Sequence, residues 1–226
     1  GLSGTLEEAC KDKDVVLVAV QTPHDPKYGG ETPTSHLEPK DFDYSYLIQA
    51  VKDVDEHVNE GTLISVISTV LPGTVRREIV PLIKNGKFIY NPYLIAQGTV
   101  KWDMRNPEMI MIGTSSGHES RETKTLRDVY DPILEKNARY EIGTWEEIES
   151  LKVFYNTFIT AKLCLVNMIQ DVAMKVGHIN VDVVTDALKY STQRIMGPSY
   201  MMAGFGDGGA CHPRDNIALR HMAKRL

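Results

Sequence analysis

Val15-Val16-Leu17-Val18-Ala19-Val20 is an unbroken apolar run set between charged residues on one side and Gln21-Thr22-Pro23 on the other. Such a run predicts a strand buried on both faces. Three similar runs follow: residues 63–67 stop at Ser68-Thr69, residues 88–90 at Asn91-Pro92, and residues 109–112 at Gly113-Thr114. A last short strand fits residues 139–142. Helical patterns at 44–58, 74–84 and 118–134 lie between them, and strands alternating with helices predict an α/β fold with a parallel sheet covered on its faces. Ligands of such sheets gather beyond the carboxyl ends of the strands, where Thr22, Thr69 and Asn91 fall. Residues 22–41, rich in Pro and Gly, form the longest predicted loop, a length that is usually functional or mobile.

The texture changes from Thr144 onward. Residues 146–176 read as one helix of ~30 residues, about 45 Å long at 1.5 Å per residue, with Gly177 as its C-cap. Ile148, Leu151, Phe158, Val166, Ile169 and Val176 spread over most of its circumference, which predicts a domain or dimer core. One polar stripe runs through it: Glu149, Lys152, Asn156, Thr160 and Asn167. Polar groups in an apolar helix cost free energy unless they find partners, so they either bond to one another, as an i,i+3 pair of Glu149 with Lys152 would, or line a site. Asn180 is placed to cap a shorter helix at 181–190. Beyond it, residues 204–215 read G-F-G-D-G-G-A-C-H-P-R-D. Glycines at that density let the backbone approach a ligand closely, and a thiol becomes reactive as the thiolate near cations or amide donors. Cys211, with Arg214 and Asp215 close by, is a candidate nucleophile; the alternative is a glycine-rich surface turn with an inert thiol.

Composition narrows the classes. The 226 residues are 42% hydrophobic with a formal charge of -5, which argues against disorder and against a general nucleic-acid or membrane-surface role. Cys10, Cys164 and Cys211 are too scattered for a disulfide framework or a zinc site, and a reducing, cytoplasmic setting fits best. No apolar run approaches the ~20 residues of a membrane span. The opening Gly1-Leu2-Ser3-Gly4, without methionine, and the helical pattern running to Leu226 read as a piece of something longer.

Five ordered motifs resemble the UDP-glucose/GDP-mannose dehydrogenase family: residues 18–23, residues 68–74, Asn91-Pro92 through Gly98, Glu149 with Lys152 and Asn156, and Gly204 through Asp215. The resemblance covers nearly the whole chain. It implies a partial Rossmann-like NAD-binding domain at 1–143, followed by a helical central or dimerisation domain at 144–226 that ends in the cysteine loop. NAD is the implied cofactor, a nucleotide sugar the implied substrate, and a homodimer through the long helix the implied assembly. In this family two hydride transfers take the sugar C6 from alcohol to aldehyde and, through a cysteine thiohemiacetal and thioester, to the acid. Cys211 matches the nucleophile, Lys152 and Asn156 the groups that stabilise the oxyanion and hold water, Asp215 the carboxylate that pairs with the lysine, and Thr69 a threonine beside sugar and nicotinamide. The same carry-over assigns cofactor contacts to Val20, Thr22, Pro23, Ser68 and Thr69. Substrate contacts fall to Asn91, Tyr93, Leu94, Gln97, Lys152, Asn156, Gly206 and Gly208.

Two departures stand out. The family's substrate loop reads Asn-Pro-Glu-Phe-Leu-x-Glu-Gly, whereas here Tyr93 and Gln97 replace both glutamates. A tyrosine, with a reference pKa near ~10, is a poor base at neutral pH, so slow thioester hydrolysis is expected. The G-x-G-x-x-G pyrophosphate turn does not occur before Val15, so tight NAD binding by this chain alone is not expected. Two other readings remain. Residues 113–117 match G-x-S-x-G, the hydrolase nucleophile elbow, with Ser115, Asp131 and His212 as nominal partners; and a homologue lacking these features could serve as a dimerising or nucleotide-sugar-binding module.

Overall fold

The computed structural model describes residues 4–29, 31, 33–96, 98–204 and 211–226. The chain divides into two compact units, residues 1–156 and 157–226.

The first unit is built on a five-stranded sheet in the order β1-β2-β3-β4-β5, with β1 Val15–Val18, β2 Leu63–Val66, β3 Lys87–Tyr90, β4 Ile110–Thr114 and β5 Tyr140–Thr144. All five lie where the apolar runs predict them. β1, β2 and β3 are parallel, and β4 and β5 are parallel to each other, but β3 meets β4 antiparallel through Tyr90 and Gly113. The sheet is therefore mixed, because periodicity reports burial and carries no strand direction. Side chains alternate between two covered faces. Ile64, Val66, Tyr90 and Met111 join one core with Leu47 and Val51 of α2 (Ser45–His57) and with Trp145 and Ile148 at the start of α5 (Trp145–Val176). Leu63, Ile89, Ile110 and Ile112 join the other with Leu126 and Tyr130 of α4 (Arg121–Tyr130). Each such side chain, fully buried, contributes roughly 1.5–3 kcal/mol. β1 departs from the expectation of burial on both faces. It pairs only with β2 among the described residues, and Leu17 is 41% exposed.

Two close approaches set the frame of the site. A Cβ on Gly113 would stand 3.2 Å from Tyr90 Cβ and 3.3 Å from Trp145 Cα, so glycine there lets α5 start against β3 and β4. Asp55, buried on α2, accepts backbone N–H bonds from Lys84, Asn85 and Gly86 at 2.8–3.2 Å, which fastens α2 to the turn that launches β3.

The helical pattern at 74–84 resolves into a π-helical turn at Val75–Ile79 and a 3-10 turn at Val80–Leu82. Pro81 has no N–H for an α-helical bond. Sequence gave no signal for α3 (Val100–Arg105), which has no buried residue, nor for the brevity of α1 (Leu6–Cys10), whose Cys10 is 1% exposed.

The 32 residues of α5 run from the first unit into the second. Gly177 follows with φ +77, the left-handed cap the sequence predicts. One correction falls here. α5 is long and apolar enough, with an 18-residue window of mean hydropathy 1.2, to meet the length and composition of a membrane span. Thr160 and Lys162 interrupt the apolar runs without lowering that average below this level. In the second unit, the Asn180 side chain accepts the Asp182 N–H and caps α6 (Val181–Lys189), and α7 spans Cys211–Ala223. Pro213 sits in the first turn of α7, where a missing N–H costs little.

Candidate functional site

The parallel strands β1–β3 release their chains on one edge of the sheet, and the segments beyond them are cross-bonded. The Ser68 hydroxyl donates to the Val20 carbonyl, and the Thr22 hydroxyl to the Thr69 carbonyl at 2.8 Å. The Tyr90 hydroxyl reaches the Ser68 carbonyl at 3.2 Å. Val20, Thr22, Pro23 and Thr69 are half-buried and Ser68 is buried. Five residues that the resemblance assigns to a cofactor thus lie beyond the carboxyl ends of two adjacent parallel strands, the end of a doubly wound sheet at which ligands gather.

Beyond β3 a one-way chain of hydrogen bonds begins at Asn91, which is fully buried. Its Nδ2 donates to the Met111 carbonyl at 2.7 Å, so its Oδ1 faces the Tyr130 hydroxyl, which donates to it at 2.5 Å. A phenol has a single proton to give. The Tyr93 hydroxyl, in contact with that of Tyr130, must therefore be the donor between the two. Tyr93 packs edge-on against Tyr130, and burial raises its phenol pKa above the ordinary 10.0. Its side chain turns inward to the α4 face of the sheet. What Tyr93 offers outward is its carbonyl, and that carbonyl accepts the Lys152 ammonium at 2.7 Å. Leu94 packs against the opposite core. Gln97, Gly206 and Gly208 lie outside the described residues.

Lys152 is only 9% exposed, and burial lowers its pKa from the ordinary 10.5. A cation costs free energy when it leaves water, and a single backbone dipole offsets only part of that. The ammonium is therefore a donor held in place by the Tyr93 carbonyl, with little water around it. Asn156 lies one turn further along α5 and is exposed.

The stripe in α5 does not close on itself through Glu149 and Lys152. Glu149, with no exposed surface, instead takes the Gly73 N–H at 2.5 Å and the Val75 N–H at 2.6 Å. Burial raises its pKa above the usual 4.5, against the opposing pull of those amides. The sequence marks Glu149 as a buried polar residue but not its partners, which are more than 70 positions away. Tyr130 carried no polar signal at all, being one more large residue on the inner face of an amphipathic helix.

In the second unit, Cys211 opens α7 with its thiol exposed. Asp215 is paired with its neighbour Arg214 at 2.8 Å, both largely in solvent. Of the G-x-S-x-G residues, Ser115 is exposed on the turn after β4, while the Asp131 carboxylate accepts the Tyr140 hydroxyl at 2.5 Å.

Comparison with known proteins converges on one family. The model for the NAD binding domain of the UDP-glucose/GDP-mannose dehydrogenase family matches residues 2–134, and the model for that family's central domain matches residues 146–226. UDP-glucose 6-dehydrogenase of Rickettsia felis is 30% identical over 195 residues, 84% of this chain and 42% of that protein. A ternary complex of GDP-mannose dehydrogenase from Pseudomonas aeruginosa superposes with a TM-score of 0.83 at 26% identity, over 99% of this chain and 50% of that one. A UDP-glucose dehydrogenase from Pyrobaculum islandicum gives a TM-score of 0.68 at 28% identity, over 99% and 49%. The chain thus spans half or less of each of these relatives.

Proposed function

The chain belongs to the UDP-glucose/GDP-mannose dehydrogenase family, and from that premise we propose that it carries the acyl-forming half of an NAD-dependent nucleotide-sugar 6-dehydrogenase. The observation that carries the reading is the buried Lys152 ammonium held on the Tyr93 carbonyl, which ties the long helix to the loop expected to bind the sugar. NAD, when bound, supplies the hydride acceptor; Val20, Thr22, Pro23, Ser68 and Thr69 would hold it at the strand ends.

The sugar C6 alcohol loses a hydride and a proton to become an aldehyde. The Cys211 thiolate adds to the carbonyl carbon, and Lys152, a donor with a lowered pKa, supports the oxygen as charge gathers there. Loss of a second hydride from the thiohemiacetal leaves a thioester. Water, held by Asn156 and Thr69, then releases the acid and the free thiol. Asp215 is assigned to proton management near Cys211. Asn91, Leu94, Gln97, Gly206 and Gly208 complete the proposed sugar contacts. The apolar residues of α5 that face solvent, Phe154, Phe158, Leu163 and Met174 among them, support the proposed pairing of two copies through that helix.

Tyr93 cannot replace the family's loop glutamate as a base. Its hydroxyl proton is committed inward to Tyr130, and its pKa is raised, so hydrolysis should be the slow step. Quenching the native polypeptide in denaturant during turnover with NAD and UDP-glucose tests this. Mass spectrometry should find an acyl adduct on Cys211. Rapid acid formation without any adduct would refute the slow step, and an unmodified, inactive protein that still binds the sugar would favour a binding module.

A further inference from the structure

We propose that Glu149 is a positioning residue, fixing the Thr69 segment against the Lys152 turn of α5. The proposal rests on the dehydrogenase reading above, which gives Thr69 and Lys152 their roles.

A carboxylate without solvent contact costs several kcal/mol unless it is well bonded. Each oxygen of Glu149 takes a backbone N–H from the segment that follows Thr69, Gly73 at 2.5 Å and Val75 at 2.6 Å. These amides stand at the entry to the π-helical turn, where the chain has no internal acceptor for its first donors. Gly73 has φ +88, a left-handed conformation that glycine adopts readily, and its N–H meets the carboxylate there. Thr69 precedes Gly73 by four residues, and Lys152 follows Glu149 by three. One buried side chain therefore links the two segments four residues from Thr69 and one helical turn from Lys152.

Val75 and Ile79 also share a buried core with Trp145 and Ile148, but the other polar contact between these segments is weaker. Arg76 pairs with Glu146 at 2.5 Å and stacks over the Trp145 ring at 4.7 Å. Both charged partners are substantially exposed, where ion pairs contribute little. An apolar residue at position 149 could fill the volume but would leave two buried amides unbonded. Glutamine would satisfy one and set its own NH2 against the other.

The test compares Glu149→Gln, Glu149→Asp and Arg76→Ala in the native polypeptide. Amide exchange over residues 69–79 should quicken about tenfold or more in Glu149→Gln, the equivalent of one lost charged bond, while residues 45–57 stay as protected as before. Turnover should fall by a similar factor with the nucleotide-sugar KM unchanged. Aspartate, one methylene shorter, should show both effects in smaller measure, and it serves as the folded variant if glutamine prevents folding. Arg76→Ala should show neither effect. Exchange that quickens equally in residues 45–57 would mark a merely structural role, and unchanged exchange over 69–79 would refute the clamp. If Lys152→Ala left turnover intact while the exchange effect stood, the dehydrogenase roles would fall and the clamp would remain as scaffold only.

Discussion

Lys152 and Cys211, the two residues on which the proposed chemistry turns, have opposite surroundings. Lys152 is sheathed: its ammonium rests on a carbonyl, the residue bearing that carbonyl is bonded to Tyr130, and Tyr130 is bonded to a buried asparagine. Cys211 is exposed at the start of α7, a helix with no buried residue, and the nearby ion pair of Arg214 and Asp215 lies in solvent. A group embedded in a packed network cannot be changed without disturbing the scaffold. A group at the surface of its own unit can. Substitutions on the Lys152 side should therefore register in both stability and rate, and substitutions on the Cys211 side in rate alone.

Cys211→Ser gives the largest effect and the sharpest test of that contrast. Acid formation should drop to background because the oxygen nucleophile cannot form the thioester, while the unfolding free energy stays within about 0.5 kcal/mol, as for other exposed positions. A clear loss of stability on denaturant titration would mean that the thiol is packed in the native assembly. The contrast would then be wrong. Lys152→Met comes next: loss of an oxyanion donor should lower kcat roughly 10²–10³-fold.

The same substitution should also alter the pH dependence of folding. The folded pKa of Lys152 lies below its ordinary 10.5, so between those two values the unfolded chain binds more protons than the native one. Stability contributed at this position therefore rises with pH through that window. Lys152→Met removes the contribution. Subtracting the mutant's unfolding free energies from those of the wild type between pH 8 and 10 should leave a positive slope. Glu149, whose folded pKa is raised above 4.5, contributes the opposite slope in acid and cancels from the difference. A flat difference would show that Lys152 keeps its water in solution.

The contrast also explains what the sequence could and could not disclose. Leu63–Val66 was legible because burial on two faces leaves an apolar run, and Val15–Val18 and α5 because their residues are apolar throughout, although Leu17 and many apolar residues of α5 are exposed. Thr22, Thr69 and Asn91 were legible as strand-end residues for the same reason. The reversal of β4 and β5 was not, since the alternation of side chains is the same in either direction. Pairing of Glu149 with Lys152 was one of two readings left open, because helical spacing displays near neighbours, whereas its amides at Gly73 and Val75 are brought in by tertiary packing. Tyr93 was noted as a missing carboxylate. Its inward turn depends on Tyr130, which no local pattern connects to it.

Tyr93→Phe probes the sheathed side with the smallest change. It deletes only the first donor of the chain, leaving the bond from Tyr130 to Asn91 and the carbonyl that holds Lys152 in place. A net cost of about 1 kcal/mol in stability is expected for one neutral hydrogen bond, with the ring packing against Tyr130 retained. If the phenol takes no part in the chemistry, kcat and the rate of thioester hydrolysis should both stay within about twofold, well under 1 kcal/mol in barrier height. A large fall in hydrolysis with stability preserved would place the Tyr93 oxygen at the reacting water, which requires it to leave Tyr130 during turnover. The inward network would then describe only the resting position of the loop.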